Sequence, residues 1–201
     1  MRVTVIDYKA GNLTSVLKTL NHLGADTEVT GTPNPLDRAE RIVLPGVGHF
    51  AATKLLDDSG LTVAIRAAIA RGIPFLGICV GMQWLYEGST EAPSQPGLAH
   101  FSGQCTRFPD EEQKVPHVGW NSIESVGESK LLKGIDSGAF VYFTHSYKAP
   151  ITADTAATTN YIAPFAAAVE RDNVMGVQFH PEKSAAVGLK ILSNFLQLNS
   201  H

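Results

Sequence analysis

"FLGICVGMQWL", residues 75–85, starts as an apolar run, breaks at a cysteine between Gly77 and Gly81, and resumes with helical spacing. Such a run passing directly into a helical pattern reads as a buried strand feeding a helix. The turn between them is sharp, and G-x-C-x-G places Cys79 on its corner, the form of a nucleophile elbow usually illustrated with serine. The glycines leave room for the turn and for a substrate to approach. At a helix N-terminus, unpaired amides and the helix dipole favour thiolate and lower the pKa from the free cysteine value of about 8.5. Taken alone, the same corner also fits a buried, inert cysteine in a tight connection. A partner base has to decide.

Working outward, the same rhythm of strand and helix recurs. "VTVID" precedes Leu13, Val16, Leu17, Leu20 and Leu23 at helical spacing; "RIVLP" precedes "LTVAIRAAIARG", with Leu61, Ala64, Ile65 and Ala68 on one face; "IPFLGI" precedes "GMQWLYEG". Repeated βα units predict a parallel sheet covered on both faces. Between about residues 90 and 150 the pattern shifts to short strands and turn-rich pieces such as "APSQPG", "FPDEEQ" and "SVGESK", which predict an antiparallel excursion or added loops. Further on, "TAATTNY", "FAAAVER" and "VMGVQF" read as successive strands. Val187, Ile191, Phe195 and Leu198 then mark one stripe of a final helix. No repeat, linker or low-complexity tract interrupts the 201 residues, so one domain over 1–201 is expected.

Composition narrows the function. With 16 basic and 19 acidic residues, the formal net charge of -3 gives no broad attraction to nucleic acid or anionic lipid, so neither is expected as a partner. Two cysteines, Cys79 and Cys105, make neither a disulfide framework nor a zinc motif, and a reducing cytoplasm fits them. Cys105, in "GQCTRF", is assigned to packing. The N-terminus is too short and polar for a secretory h-region, so the mature chain is expected to start near Met1. No apolar run approaches the roughly 20 residues of a membrane helix. No metal site and no cofactor are expected.

Of the seven histidines, only His180 has a carboxylate two residues on, in "VQFHPEKS". In an extended segment side chains at i and i+2 share a face, so Glu182 lies beside His180 while Pro181 stiffens the link. A carboxylate in that position fixes the tautomer of a catalytic imidazole and stabilises its charged form. A strand-ending turn with an exposed carboxylate is the plainer reading of His-Pro-Glu by itself; the elbow tips the balance. The chain order Cys, His, Glu also differs from the α/β-hydrolase order. "LPGVGHF", residues 44–50, gives a third piece. Its G-x-G-x-x-A lettering at Gly46, Gly48 and Ala51 resembles a dinucleotide fingerprint, but it lies outside the first βα unit and no acidic residue follows about 20 positions on. A glycine-rich loop at a strand end also suits backbone N–H groups aimed at an oxyanion, each worth about 10²- to 10³-fold in rate.

"PGVGHF", "GICVGMQWLYEGS" and "HPEKS", in that order and spacing, resemble the class I, triad-type glutamine amidotransferases. "DYKAGNLTSV", "KVPHVGWN" and "FTHSYKA" are similar to the glutaminase subunits of imidazole glycerol phosphate synthases, over a stretch from about Asp7 to Phe195. Lys9 departs from the pattern, which more often has a small residue before "GN". The resemblance implies a flavodoxin-like three-layer α/β fold with a mostly parallel central sheet and an antiparallel excursion. It further implies that Cys79 attacks the side-chain amide of glutamine, that His180 shuttles protons, and that Glu182 orients His180. The amides of Val47 and Val80 would hold the oxyanion. Gln83, His145, Ser146 and Tyr147 would recognise the amino-acid end of glutamine, with Gly48 lining the pocket and His145 outside the chemistry itself.

The resemblance also implies a partner, a (β/α)₈ barrel cyclase that takes the ammonia and, from a phosphorylated ribulosyl aminoimidazole carboxamide nucleotide, makes imidazole glycerol phosphate and an aminoimidazole carboxamide nucleotide. A closed route serves this, because free ammonia at neutral pH is mostly protonated and has lost its lone pair. Asn12, Pro116, His117, Trp120, Asn121 and Lys183 match partner-facing motifs of the family, and tryptophan is enriched at interfaces. The "PGVG" loop would then be a switch that keeps the isolated subunit nearly idle. Three rival readings stay open on the residues: the glutaminase of another ammonia-channelling synthase, such as that of pyridoxal phosphate synthesis; a cysteine hydrolase of similar fold; and a non-enzymatic subunit on the same scaffold.

Overall fold

A computed structural model describes residues 1–9, 13–109 and 113–199. The chain begins with β1 (Arg2–Ile6), α1 (Leu13–His22), β2 (Asp26–Thr30) and β3 (Ile42–Gly46), followed by α2 (Lys54–Asp58) and α3 (Leu61–Ala70). Next come β4 (Phe75–Cys79), α4 (Val80–Gln83), β5 (Gly88–Ser89), β6 (Gln104–Arg107), β7 (His117–Ser125), β8 (Ala139–His145) and β9 (Tyr147–Lys148). β10 (Thr155–Tyr161), β11 (Ala163–Arg171), β12 (Val174–Val177) and α5 (Ala185–Leu196) complete it.

Nine strands form one sheet in the order β2-β1-β3-β4-β12-β11-β10-β7-β8. Its first five strands run parallel; of the antiparallel excursion expected between about residues 90 and 150, β7 and β8 continue this sheet to its other edge through β10 and β11, while β6 and β9 pair with β5 in a separate three-stranded sheet. β3, β4 and β12 are buried at every position, which is why they read as unbroken apolar runs rather than alternating ones. α1 buries Val16 and Leu20, α3 buries Leu61, Ile65 and Ala68, and α5 buries Ile191 and Phe195, each on the face that the spacing predicts. No helix among the described residues is long and apolar enough to cross a membrane.

Two expectations change. The helical spacing of "GMQWLYEG" yields only the four residues of α4. The carbonyls of Trp84, Leu85 and Tyr86 accept instead from Leu98, His100, Phe101 and Ala99, so a returning segment takes the acceptors that a longer helix would need. β2 gives no strand signal in sequence because it is an edge strand with only Thr30 buried, and edge strands are kept polar.

Candidate active site

Three strand ends converge. In the parallel sheet Gly46 pairs with Cys79 and Val177 with Ile78, so the loop after β3, the corner after β4 and the segment after β12 open at one carboxyl edge, where parallel α/β sheets characteristically bind ligands. The corner is tight. Cys79 has φ 54° and ψ −110°, a positive-φ conformation that side-chain-bearing residues rarely adopt and that costs of order 1–3 kcal/mol. The glycines beside it are compelled by space: a Cβ on Gly77 would lie 2.5 Å from the Gly81 carbonyl oxygen, and one on Gly81 would lie 2.0 Å from that of Leu44. The sequence turns here because no larger residue fits.

His180 is buried and packs its Nδ1 2.8 Å from Glu182 Oε1, with both side chains almost fully enclosed. The contact arises differently from the expected extended segment. His180 is extended, but Pro181–Lys183 form a 3₁₀ turn, which swings Glu182 back under the ring. The other ring nitrogen, Nε2, is buried with no hydrogen-bond partner among the described residues, and the Cys79 thiol is among the groups that act on the ring. Burial disfavours the charged ring, yet hydrogen bonding and charge from Cys79 and Glu182 outweigh it and raise the His180 pKa to about 9. An imidazolium at neutral pH, held by a carboxylate and facing a thiol, stabilises thiolate and carries a proton.

A cavity of about 230 Å³ opens beside the thiol, lined by Val47, Gly48, Cys79, Val80, Gln83, Pro116, Thr144, His145, Ser146 and Tyr147, together with Glu91. Residues expected on sequence grounds as nucleophile, oxyanion amides and substrate contacts thus share one space. Gln83 is more constrained than expected. Its Nε2 donates to the Tyr147 carbonyl at 3.0 Å and to Gln178 Oε1 at 3.1 Å, so only its Oε1 is left for a ligand. Glu91 escapes the sequence reading because an acid in the turn-rich "STEAP" looks like any solvated loop residue. Here it faces the cavity and accepts the Phe50 N–H at 2.7 Å. Gln178 also escapes it, although it precedes His180 by two positions; it is fully buried and donates to Cys79 Sγ at 3.6 Å.

The residues expected to face a partner separate into groups. Trp120 is 52% exposed, beside exposed Val118 and Phe140; Lys183 is exposed, with its Nζ 5.8 Å from the centre of the Tyr142 ring. Tyr142 also meets Trp120 edge-on. Pro116 is exposed and Asn121 half-buried. Asn12 lies outside the described residues.

His117 requires correction. It is 3% exposed, stacked between Phe143 and Tyr161, so its side chain cannot face a partner. It belongs to an ordered chain instead. His145 Nδ1 donates to the Tyr147 carbonyl at 2.8 Å, which leaves His145 Nε2 as the acceptor for His117 Nδ1 at 3.1 Å, and leaves His117 Nε2 as the acceptor for Asn121 Nδ2 at 3.4 Å. Both rings are neutral in this arrangement. Burial lowers the His117 pKa to about 4; burial is also the largest influence on His145, lowered to about 3. Cys105 is fully buried and its thiol is pushed up by burial, in keeping with packing. Lys9 has φ 66°, the left-handed region that favours glycine, and its N–H donates to Asp7 Oδ1.

The description "Glutamine amidotransferase class-I" matches residues 4–198. The chain is 43% identical over 197 residues to the imidazole glycerol phosphate synthase subunit HisH of Deinococcus radiodurans, covering 96% of this chain and 92% of the relative. The subunit of the same name in Methanosarcina acetivorans is 45% identical over 204 residues, covering 98% of each. Among solved structures, PurLQS from Thermotoga maritima superposes with a TM-score of 0.76 at 18% identity, covering 97% of each chain. A glutamine amidotransferase from the same organism gives 0.69 at 19% identity, covering 98% and 96%. These last two share the fold, whereas the first two are relatives along nearly their whole length. The chain belongs to the class-I glutamine amidotransferases and, within them, to the family of imidazole glycerol phosphate synthase subunits HisH.

Proposed function

We propose that this chain hydrolyses glutamine and passes the ammonia to a (β/α)₈ cyclase in histidine biosynthesis. The observation that carries the reading is the buried His180, held by the Glu182 carboxylate and acted on by the Cys79 thiol, which itself lines a cavity of about 230 Å³. Cys79 attacks the side-chain carbonyl carbon of glutamine, and His180, charged through its contacts with Glu182 and Cys79, protonates the departing nitrogen. Water enters, His180 takes its proton, and the thioester is cleaved to glutamate with Cys79 regenerated. The N–H groups of Val47 and Val80 stabilise the tetrahedral oxygen. Gly48 leaves space for the substrate chain, while Gln83 Oε1 and the Glu91 carboxylate accept from its α-ammonium. The segment His145–Tyr147 walls the amino-acid end, with His145 held neutral and outside the proton transfers.

The relatives' names support the partner and pathway. The exposed Trp120, with Asn121 and Lys183 beside it, suits the docking surface, and Asn12 is assigned to the same role. His117 acts from beneath, supporting Asn121. Pro116 both lines the cavity and reaches the surface, a suitable place for ammonia to leave. Free thiols at Cys79 and Cys105 favour the reducing cytoplasm as the site of action. The test is isotopic. With the cyclase and its nucleotide substrate, amide-labelled glutamine should deliver its label into the imidazole product even in excess unlabelled ammonium. Full dilution of the label would contradict channelling.

A further inference from the structure

Gln178 stands immediately past β12, fully buried, with its Nε2 3.6 Å from the Cys79 sulfur. Which end of an amide meets a thiol matters, because an N–H favours thiolate and a carbonyl oxygen opposes it. Here the orientation is set at a distance. The Tyr147 carbonyl can only accept, so the Gln83 atom 3.0 Å from it is the donor Nε2. That nitrogen also lies 3.1 Å from Gln178, which therefore turns its Oε1 toward Gln83 and leaves its own N–H groups for the sulfur. The Thr144 carbonyl, also near the sulfur at 3.9 Å, is an acceptor and opposes a thiolate.

We propose that Gln178 is a positioning residue for the nucleophile, its N–H aimed by Gln83 and the Tyr147 carbonyl so that the Cys79 sulfur is held as thiolate before substrate arrives. This extends the glutaminase reading to a side chain with no part in the proton transfers. A neutral donor complements His180: the imidazole must give up its proton during the reaction, whereas the amide keeps its hydrogens and stabilises the sulfur whenever it is ionised. Hydrogen bonds to ionised groups are strong enough to move a thiol pKa by about one unit, equivalent to about tenfold in thiolate population. Among the described residues, His180, itself paired with Glu182, and Tyr8 interact with the thiol, while Glu91 lines the same cavity. A change at residue 178 leaves all of them in place.

The test reads the thiol directly. Rates of Cys79 alkylation by iodoacetamide are followed against pH for the full chain, Gln178→Met and Gln178→Glu, with the Cys79 peptide quantified by mass spectrometry. Glutamine turnover is then measured with the cyclase present. Gln178→Met should raise the alkylation midpoint by about one pH unit and lower kcat about tenfold at little-changed KM. Gln178→Glu, which puts a carboxylate against the sulfur, should raise the midpoint further. An unchanged midpoint in both overturns the proposal. In the unsubstituted chain, the Gln178 side-chain amide resonances should shift with the Cys79 titration; resonances that ignore it overturn the proposal even where neither variant folds. Absent glutamine turnover in the unsubstituted chain would count against the glutaminase reading alone, since alkylation is measured without glutamine.

Discussion

A single imidazole carries two opposed influences, burial that favours its neutral form and the Cys79 and Glu182 contacts that favour its charged one, and the contacts prevail with a pKa raised to about 9. Glu182→Gln should therefore move the His180 titration, followed by NMR of the ring, down toward the ordinary value of about 6.5. Glutamine turnover should fall by at least about 10²-fold, the scale of a lost acid–base contribution. A midpoint still near 9 in that variant would contradict the assignment of Glu182. Cys79, His180 and Glu182 were legible because each sits in a short motif whose chemistry is local: a corner between glycines, a histidine two residues from an acid. Gln178 and Glu91 were not. Their significance depends on what lies opposite them in space, the Cys79 sulfur and the cavity, and nothing in their own neighbourhoods announces it.

At the scale of elements, the corner between β4 and α4 exists because backbone crosses backbone without side chains between. Gly81→Ala would place a methyl 2.0 Å from the Leu44 carbonyl oxygen; the chain should lose about 3 kcal/mol or more of stability, or fail to fold, as thermal unfolding would report. On the β7–β8 hairpin, Trp120 is exposed beside Val118 and Phe140, in register with Tyr142. Trp120→Ala should leave the melting temperature nearly unchanged while weakening cyclase binding by about 2 kcal/mol or more, measured by calorimetric titration. Equal affinity would remove the hairpin from the interface. Helix faces were readable because spacing alone encodes them. The length of α4 was not, since hydrogen bonds from residues 98–101 end it, and neither was the burial of His117, whose neighbours Phe143 and Tyr161 are distant in sequence.

Across the whole molecule, buried histidines of opposite habit shape stability against pH. His117 and His145 are held neutral, with pKa values lowered to about 4 and about 3. Their stabilisation is present above about pH 6.5, where the unfolded chain is also neutral, and drains away as pH falls below it because the unfolded chain binds protons that the folded chain refuses. His180 has the reverse sign: raised to about 9, it stabilises fully below about pH 6.5 and loses that contribution as pH rises through about 9. Urea unfolding between about pH 6 and pH 4.5 should accordingly show net proton uptake, smaller in His117→Phe than in the unsubstituted chain. The sheet order, with β12 seated between β4 and β11, was beyond the sequence patterns, yet it is what brings residue 180 to residue 79. That meeting is tested most directly by glutamate release from glutamine, measured for the chain and for Cys79→Ala in the presence of the (β/α)₈ cyclase and its nucleotide substrate. The account predicts steady release from the first and none above background from the second; equal rates from both would contradict it.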